Sequence, residues 1–221
     1  ADTATTAANI DKASISAVSG ITAGNKTYNG TTAASLDTSN ASFAGIVSGD
    51  SLNIGSASGA FADKNAGMGK TVTVAGITLG GADAGNYTLL SDTATITADI
   101  NKAVLAISGI TASNKTYDGT VDATLSGTAS VTANGGDDVA VSGTGLGSFA
   151  DKHAGAGKTV TASGYTLTGS DAGNYSLVQP IGLTATISQK ALTVSGISAS
   201  DKTYNGTTAA SLDTSNASFA G

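Results

Sequence analysis

The chain contains no cysteine, tryptophan, arginine or glutamate among its 221 residues, and its only proline is Pro180. Without cysteine it has no disulfide and no thiolate metal site. A nucleic-acid-binding surface needs clustered Lys and Arg, whereas this chain has ten scattered lysines and a net charge of −6. No apolar run approaches the roughly 20 residues that span a bilayer. We therefore expect a soluble segment that neither binds nucleic acid nor inserts into a membrane.

Small residues dominate what is present, namely Gly, Ala, Ser and Thr. Glycine shows no period of three and proline is nearly absent, which excludes a collagen-like chain. Val, Ile, Leu, Tyr and Phe recur at regular intervals, so the chain is not a disordered low-complexity tract. Side chains this small predict a folded protein with thin cores.

An internal repeat is the main feature of the sequence. Lys26–Gly45 and Lys202–Gly221 have the same twenty residues, and a divergent copy begins at Lys115. Three further motifs recur 88 residues apart: FADK at Phe61 and Phe149, GKTVT at Gly69 and Gly157, and DAGNY at Asp83 and Asp171. A period of this length is too long for a solenoid coil and long enough for a small domain.

The repeat divides the chain into four parts. Residues 1–11 match the tail of a preceding repeat, 12–101 form repeat 1, 102–189 form repeat 2, and 190–221 form a partial repeat 3. We expect these repeats to be small domains in series. Between Thr93 and Ser108 the chain passes from one repeat to the next without a Pro/Gly/Ser-rich linker, which predicts a direct strand-to-strand connection and an elongated rod.

Alternating apolar residues predict β-strands in each repeat. Ala94, Ile96, Ala98 and Ile100 alternate with polar residues, as do Val72 and Val74. No window of 11 or more residues has a helical stripe, and Thr31–Leu36 is either one helical turn or a short strand. The sequence predicts an all-β fold, with immunoglobulin-like β-sandwich repeats or a β-helix as alternatives.

Two kinds of turn are predicted between the strands. Asn29-Gly30 and Asp118-Gly119 are typical of tight hairpins, because these residues tolerate positive φ. The segment from Asp83 to Asn86, like its copy at Asp171, predicts a turn that starts at Asp and places Gly in the left-handed region.

Few residues are candidates for chemistry, and we predict no enzyme. Gly69-Lys70-Thr71 lacks the preceding glycine and the following helix of a phosphate-binding loop. The only histidine, His153, has Asn65 as its counterpart, so a repeated catalytic base is absent.

Calcium is the one metal for which the acidic residues could form a site. The candidate ligands are Asp99, Asp137 and Asp138, against the alternative that these residues form turns. Repeat 1 has Gly49-Asp50 where repeat 2 has the paired acids. We expect no other cofactor.

Aromatic residues allow two interpretations. Tyr28, Tyr117 and Tyr204 form either a solvent-facing binding row or part of a thin core beside the hairpin, and we favour the core. For Phe61, Phe149, Tyr87 and Tyr175 we also expect a core position.

The motifs taken together resemble the YDG-type repeats of the mostly β-grasp (MBG) group, found in filamentous-haemagglutinin-like bacterial surface adhesins. The resemblance is carried by Tyr117-Asp118-Gly119, by its variants Tyr28-Asn29-Gly30 and Tyr204-Asn205-Gly206, and by the FADK, GKTVT, DAGNY and TATI segments. It covers essentially the whole chain. It implies a mainly β, β-grasp-like unit located outside the cell at the bacterial surface.

Two functions follow as expectations. The first is a structural stalk or spacer that extends a distal binding region from the cell, with neighbouring repeats of the same monomeric chain as the partners. The second is a multivalent adhesive module whose repeats bind glycans or other cell-surface adhesins in biofilm or host attachment. Exposed, repeated aromatic clusters would favour the second, and buried Tyr117 and Phe149 the first.

Overall fold

A computed structural model describes residues 3–221, and nearly all of its regular structure is β. Repeat 1 contains eleven strands: β1 (Ala13–Ile15), β2 (Ala17–Ser19), β3 (Thr22–Ala23), β4 (Lys26–Thr27), β5 (Ala33–Ala34), β6 (Leu36–Asp37), β7 (Ser42–Ala44), β8 (Asn53–Phe61), β9 (Gly67–Gly80), β10 (Tyr87–Leu89) and β11 (Ala94–Asn101).

Repeat 2 also has eleven strands, and the partial repeat 3 has four. Repeat 2 contains β12 (Ala103–Ala106), β13 (Ser108–Ala112), β14 (Lys115–Thr116), β15 (Asp122–Ala123), β16 (Leu125–Ser130), β17 (Ala140–Ser142), β18 (Leu146–Phe149), β19 (Gly155–Ser163), β20 (Thr166–Thr168), β21 (Tyr175–Val178) and β22 (Leu183–Ser188). Repeat 3 contains β23 (Thr193–Ser195), β24 (Ser198–Ala199), β25 (Leu212–Asp213) and β26 (Ser218–Ala220).

A five-stranded sheet is the largest element of repeats 1 and 2. Its order is β4-β11-β9-β8-β5 in repeat 1 and β14-β22-β19-β18-β15 in repeat 2. In both sheets the short first strand pairs parallel with the last strand of the repeat, and the remaining pairs are antiparallel. A second parallel pair, β1 with β10 and β12 with β21, ties the start of each repeat to its DAGNY segment.

The alternating pattern places the small core on one face of each sheet. Val72 and Val74 are fully buried, while the threonines beside them are exposed. Ala98 and Ile100 of β11 are also buried. The all-β class predicted from the sequence is therefore confirmed, and Thr31–Leu36 forms short strands rather than a helical turn.

Compact units of the chain do not follow the repeat boundaries. The first unit comprises residues up to Ala106 together with Val131–Val141 and Leu167–Val178. The second comprises Ile107–Ser130, Ser142–Thr166 and Gln179–Gly221. Segments of repeat 2 thus pack with repeat 1 in the first unit.

The predicted tight hairpin is wrong, and the predicted DAGNY turn begins at Asp as expected but without a left-handed glycine. The loop at Asn29-Gly30 joins β4 and β5, which lie at opposite edges of the five-stranded sheet, so it is not a tight hairpin. Gly30 has φ of 77°, but no non-glycine residue among the described ones has positive φ, which the two-residue type I′ hairpin needs. The DAGNY segments form 3₁₀ turns, Ala84–Asn86 and Ala172–Asn174, whose glycines are not left-handed.

No helix in residues 3–221 is long and apolar enough to cross a membrane.

Candidate functional site: the repeat motifs and the repeat junction

The lysine of the first YDG-type motif closes its own loop. Lys26 Nζ donates to the carbonyl oxygens of Thr31 (2.6 Å) and Ala33 (3.0 Å), and to Asn29 Oδ1 (3.1 Å). The ammonium also lies 5.3 Å from the centre of the buried Phe61 ring, a cation–π distance. Burial lowers the pKa of Lys26. These contacts link the YDG motif to the FADK motif, because the Phe of one lies beneath the Lys of the other.

The second copy of this loop explains why Asn replaces Asp in the motif. Lys115 Nζ donates to Asp118 Oδ1 (2.9 Å) and to Thr120 O (3.0 Å), and it lies 5.5 Å from the Phe149 ring centre. One oxygen, Asp118 Oδ1, also accepts the backbone N–H and the hydroxyl of Thr120. Asn29 Oδ1 accepts the equivalent three bonds. The position therefore requires one acceptor oxygen and not a carboxylate.

The aspartate of each FADK motif pairs with the lysine of the following GKTVT motif. Lys70 Nζ donates to Asp63 Oδ1 at 2.7 Å, and Lys158 pairs with Asp151 in the same way. Each aspartate also accepts the backbone N–H of the residue two positions later, Asn65 or His153, at 2.8 Å. Lys70 and Lys158 thus each form an ion pair with the aspartate of their own repeat.

The DAGNY motif holds an acidic loop against the start of its repeat. In repeat 1, Tyr87 donates its hydroxyl proton to Asp50 Oδ2 (2.6 Å) and accepts the N–H of Val47 (2.9 Å). In repeat 2, Tyr175 does the same with Asp137 Oδ2 (2.7 Å) and Asn134 N (2.9 Å). Asp137 therefore corresponds to Asp50. The 88-residue period of the other motifs would instead pair Asp137 with Gly49.

The junction of repeats 1 and 2 is centred on the carboxylate of Asp137. Lys64 Nζ of repeat 1 lies 2.8 Å from Asp137 Oδ1, and the hydroxyl of Tyr28, also of repeat 1, donates to Asp137 Oδ2 at 2.8 Å. With the bond from Tyr175, three donors from two repeats surround a side chain that is 3% exposed. A buried carboxylate is stable only when it is satisfied in this way.

Further contacts surround this central pair. Asp171 Oδ1 lies 3.1 Å from Lys64 Nζ. The buried side chain of Asn174 accepts the backbone N–H of Ala66 at 2.9 Å, and its amide donates to Asn65 Oδ1 at 3.3 Å. The rings of Tyr28 and Tyr175 pack edge to face, with centroids 5.3 Å apart.

The charges at the junction stabilise one another. The Lys64 ammonium, together with the hydroxyls of Tyr175 and Tyr28, lowers the pKa of Asp137 to about 2. Hydrogen bonding to Asp137, Tyr28 and Asp171 raises the pKa of Lys64 above its ordinary value. Burial, and then the bond to Asp137, raises the pKa of Tyr28. At neutral pH the site therefore holds an ammonium, a carboxylate and neutral phenols.

A single hydrophobic core continues across the same junction. It joins Tyr28, Phe61 and Ile100 of repeat 1 to Leu105 and Tyr175 of repeat 2. Strand β11 ends at Asn101 and β12 begins at Ala103, so one residue separates them, as the absence of a linker in this segment indicates. Polar and apolar contacts therefore both fix the connection.

The candidate calcium ligands bind protein groups. Asp99 accepts the N–H of Gly69 (2.7 Å), Asp138 accepts the N–H of Ser170 (3.0 Å), and Asp137 pairs with Lys64. Thr186 occupies the position of Asp99 in repeat 2, where its N–H donates to Asn114 as that of Asp99 donates to Asn25. In the described part of the chain, no three acidic or histidine side chains are grouped to hold a metal ion.

The aromatic residues differ in exposure between copies. Tyr28 is 3% exposed, Tyr117 is half-buried, and Tyr204 is 92% exposed. Phe61, Phe149, Tyr87 and Tyr175 are all buried. The three YDG tyrosines therefore do not form one surface row, because Tyr28 is covered by Tyr175 and Asp137.

Sequence reasoning did not identify Lys64, Asn174 or Asp171 as junction residues. Each belongs to a motif that recurs, so repetition gave a signal that they matter. It did not show that the FADK loop of one repeat contacts the DAGNY turn of the next. His153, which corresponds to Asn65, is exposed and lies in the FADK loop of repeat 2.

Fold and junction define the chain as an all-β tandem-repeat protein in which motif residues join consecutive repeats. The family model for the YDG domain matches it twice, over residues 4–96 and 101–182. The chain therefore belongs to the YDG domain family. No curated protein and no solved structure matched it.

Proposed function

We propose that these repeats are a structural spacer in a large secreted bacterial surface adhesin, where they hold a distal binding region away from the cell. The observation that carries the proposal is the junction at Asp137, where repeat 2 supplies a buried carboxylate and repeat 1 supplies Lys64 and Tyr28. A spacer must keep its consecutive repeats in a fixed arrangement. Separating the two repeats would leave the buried carboxylate of Asp137 without its partners, which disfavours separation.

The placement of the family motifs supports a mechanical role. YDG, FADK, GKTVT and DAGNY residues contact one another, either within a repeat or across the junction. Repeated residues in a binding module would instead present side chains to solvent. Of the two residues whose burial would favour the spacer, Phe149 is buried and Tyr117 is half-buried. The buried Phe61 of repeat 1 adds to the argument for the spacer over the multivalent adhesive module.

The chemistry of the junction supports a structural and not a catalytic role. Lys64 is held as an ammonium, which is not a nucleophile, and Asp137 is held as a carboxylate by three donors. We propose a location outside the cell at the bacterial surface and neighbouring repeats as the principal partners, with no cofactor.

The test is to place the repeats between a cell-surface anchor and an epitope on a bacterial surface. One, two and four copies of residues 12–189 would be compared at equal surface density. A spacer predicts that antibody access to the epitope through the surface polysaccharide rises with copy number. Access that does not depend on copy number would contradict the proposal, and glycan binding by the isolated chain would favour the adhesive module.

A further inference from the structure

We propose that the surface of repeat 2 that carries Tyr117, Lys152 and His153 binds the acidic face of another YDG repeat. This surface is called the donor face, and its counterpart in repeat 1 is Tyr28, Lys64 and Asn65. The acceptor face is the set that it binds at the observed junction: Asp137, Asp171, Asn174 and Tyr175. The inference does not depend on the spacer role, because it concerns only which surfaces recognise each other.

The donor face of repeat 2 has the same local geometry as that of repeat 1. The backbone N–H of Tyr117 donates to Ser188 O at 2.9 Å, as that of Tyr28 donates to Asn101 O at 2.8 Å. The loop that carries Lys152 is held by Asp151, which accepts the N–H of His153 at 2.8 Å. Asp63 holds the loop of Lys64 in the same way at the same distance. The backbone is therefore already arranged for the contact.

Apart from His153 in place of Asn65, the two donor faces differ in their exposure. Lys152 is exposed, and within residues 3–221 it makes no ion pair, whereas Lys64 contacts two aspartates. Tyr117 is half-buried, and no hydrogen bond of its hydroxyl occurs in the part of the chain described. A lysine and a tyrosine held in this arrangement match a carboxylate that accepts both, as Asp137 does at the first junction.

The acceptor face also occurs twice in the chain. In repeat 1, Asp50 accepts the hydroxyl of Tyr87 at 2.6 Å, and Asp83 accepts the N–H of Ser51 at 2.8 Å. Repeat 2 has the same two bonds at Asp137 and Asp171. Asn86 corresponds to the buried Asn174 but is exposed, and it lines a cavity of about 230 Å³ with Ile10, Asp11 and Lys12.

Repeats 1 and 2 therefore each carry one donor face and one acceptor face. An interface between unlike faces is heterologous, so the same contact can form again between each repeat and the next. The occupant that we assign to the donor face of repeat 2 is accordingly the acceptor face of another repeat of this type, with an Asp/Asp/Asn set equivalent to Asp50, Asp83 and Asn86.

The sequence itself allows a direct test. Because residues 202–221 repeat residues 26–45, a copy of residues 46–101 joined after Gly221 completes a third repeat in register. In the 221-residue chain the N–H of Ala66 is bonded to Asn174, whereas that of Ala154 has no partner among the described residues. In the extended chain we expect amide hydrogen exchange of Ala154 to slow by at least about tenfold, toward the rate of Ala66.

A pair of lysine variants provides the matched comparison. Lys152→Met is expected to leave the melting temperature of the 221-residue chain unchanged and to lower that of the extended chain as much as Lys64→Met does. Lys152→Met that is neutral in both chains, with Ala154 still exchanging rapidly, would overturn the proposal.

A second design covers the case in which the completed third repeat does not fold. Residues 102–189 are duplicated in tandem after residue 189, so that Lys152 faces a copy of Asp137. Protection of Ala66 confirms that the native junction is intact in this chain. Protection of Ala154 then supports the proposal, and its absence beside a protected Ala66 contradicts it.

Discussion

Lys64 and Asp137 are 73 positions apart in the chain, yet Lys64 Nζ lies 2.8 Å from Asp137 Oδ1. The lysine belongs to the FADK motif of repeat 1 and the aspartate to the loop before β17 of repeat 2. The Asp137 side chain is 3% exposed and that of Lys64 is 36% exposed. The pair therefore joins consecutive repeats, and its carboxylate is buried while its ammonium is partly exposed.

Replacing Lys64 should lower the stability of the junction. Lys64→Met keeps the aliphatic stem but leaves Asp137 without its cation, so we expect the melting temperature to fall by roughly 5–10 °C. Lys152→Met is the control, because Lys152 occupies the same motif position but is exposed. Thermal unfolding followed by circular dichroism would measure both variants, and equal effects at the two positions would contradict the account.

The hydroxyl of Tyr28 can be tested without disturbing the ring. Tyr28→Phe retains the edge-to-face contact with Tyr175 but removes the bond to Asp137 Oδ2. We expect the free energy of unfolding to fall by about 1–2 kcal/mol. Tyr117→Phe should change it by less than about 0.5 kcal/mol. Denaturant titrations of the two variants would decide, and a neutral Tyr28→Phe would show that the bond to Asp137 does not stabilise the junction.

The pH dependence of stability follows from the lowered pKa of Asp137. Its folded-state pKa is about 2, below the ordinary 3.8, so its stabilisation is complete above the unfolded pKa and is lost as pH falls from about 4 toward 2. The pKa of Lys64 is raised, so its stabilisation is lost only in strong alkali. The melting-temperature difference between the wild type and Asp137→Asn should be constant from pH 7 to 5 and shrink toward pH 2.

The other aspartates do not affect the comparison of the wild type with Asp137→Asn, because both proteins contain them. Asp118 and Asp63 also have lowered pKa values, so both chains lose stability in acid. Only the difference between the chains reports on Asp137. A difference that stays constant down to pH 2 would mean that Asp137 is not selectively stabilised as a carboxylate.

The Asp and Asn forms of the YDG loop should be nearly equivalent. Asn29 and Asp118 each use one oxygen to accept from a lysine and from the following threonine. We therefore expect Asn29→Asp and Asp118→Asn to change the melting temperature little. Asn29→Ala removes three bonds and should lower the free energy of unfolding by about 1 kcal/mol or more. A large loss on Asp118→Asn, in parallel thermal melts, would argue for a role of the second carboxylate oxygen.

The strands and the tandem arrangement were predictable because both leave a periodic signal. Alternation identified the buried Val72 and Val74, and the identical segments at Lys26 and Lys202 defined the repeat. The direct connection between repeats was also predictable, since residues 93–108 contain no linker composition. Each of these inferences needs only local sequence.

The junction was not predictable, because long-range pairing leaves no such signal. Asp137 and Asp50 are one position out of step with the neighbouring motifs, which concealed their equivalence. The tyrosines of the three YDG copies share a motif, but their burial depends on what packs over them. Sequence also did not show that Asn29-Gly30 connects opposite edges of a sheet, since turn composition does not specify which strands pair.

A double-mutant cycle at Lys64 and Asp137 tests the central claim most directly. Lys64→Met, Asp137→Asn and the double variant would be compared with the wild type by denaturant unfolding at pH 7 and low salt. If the two side chains stabilise the junction as a pair, the double variant loses much less stability than the two single losses combined. Losses that simply add would show that Lys64 and Asp137 act independently, and would contradict the account of a junction held by a buried ion pair.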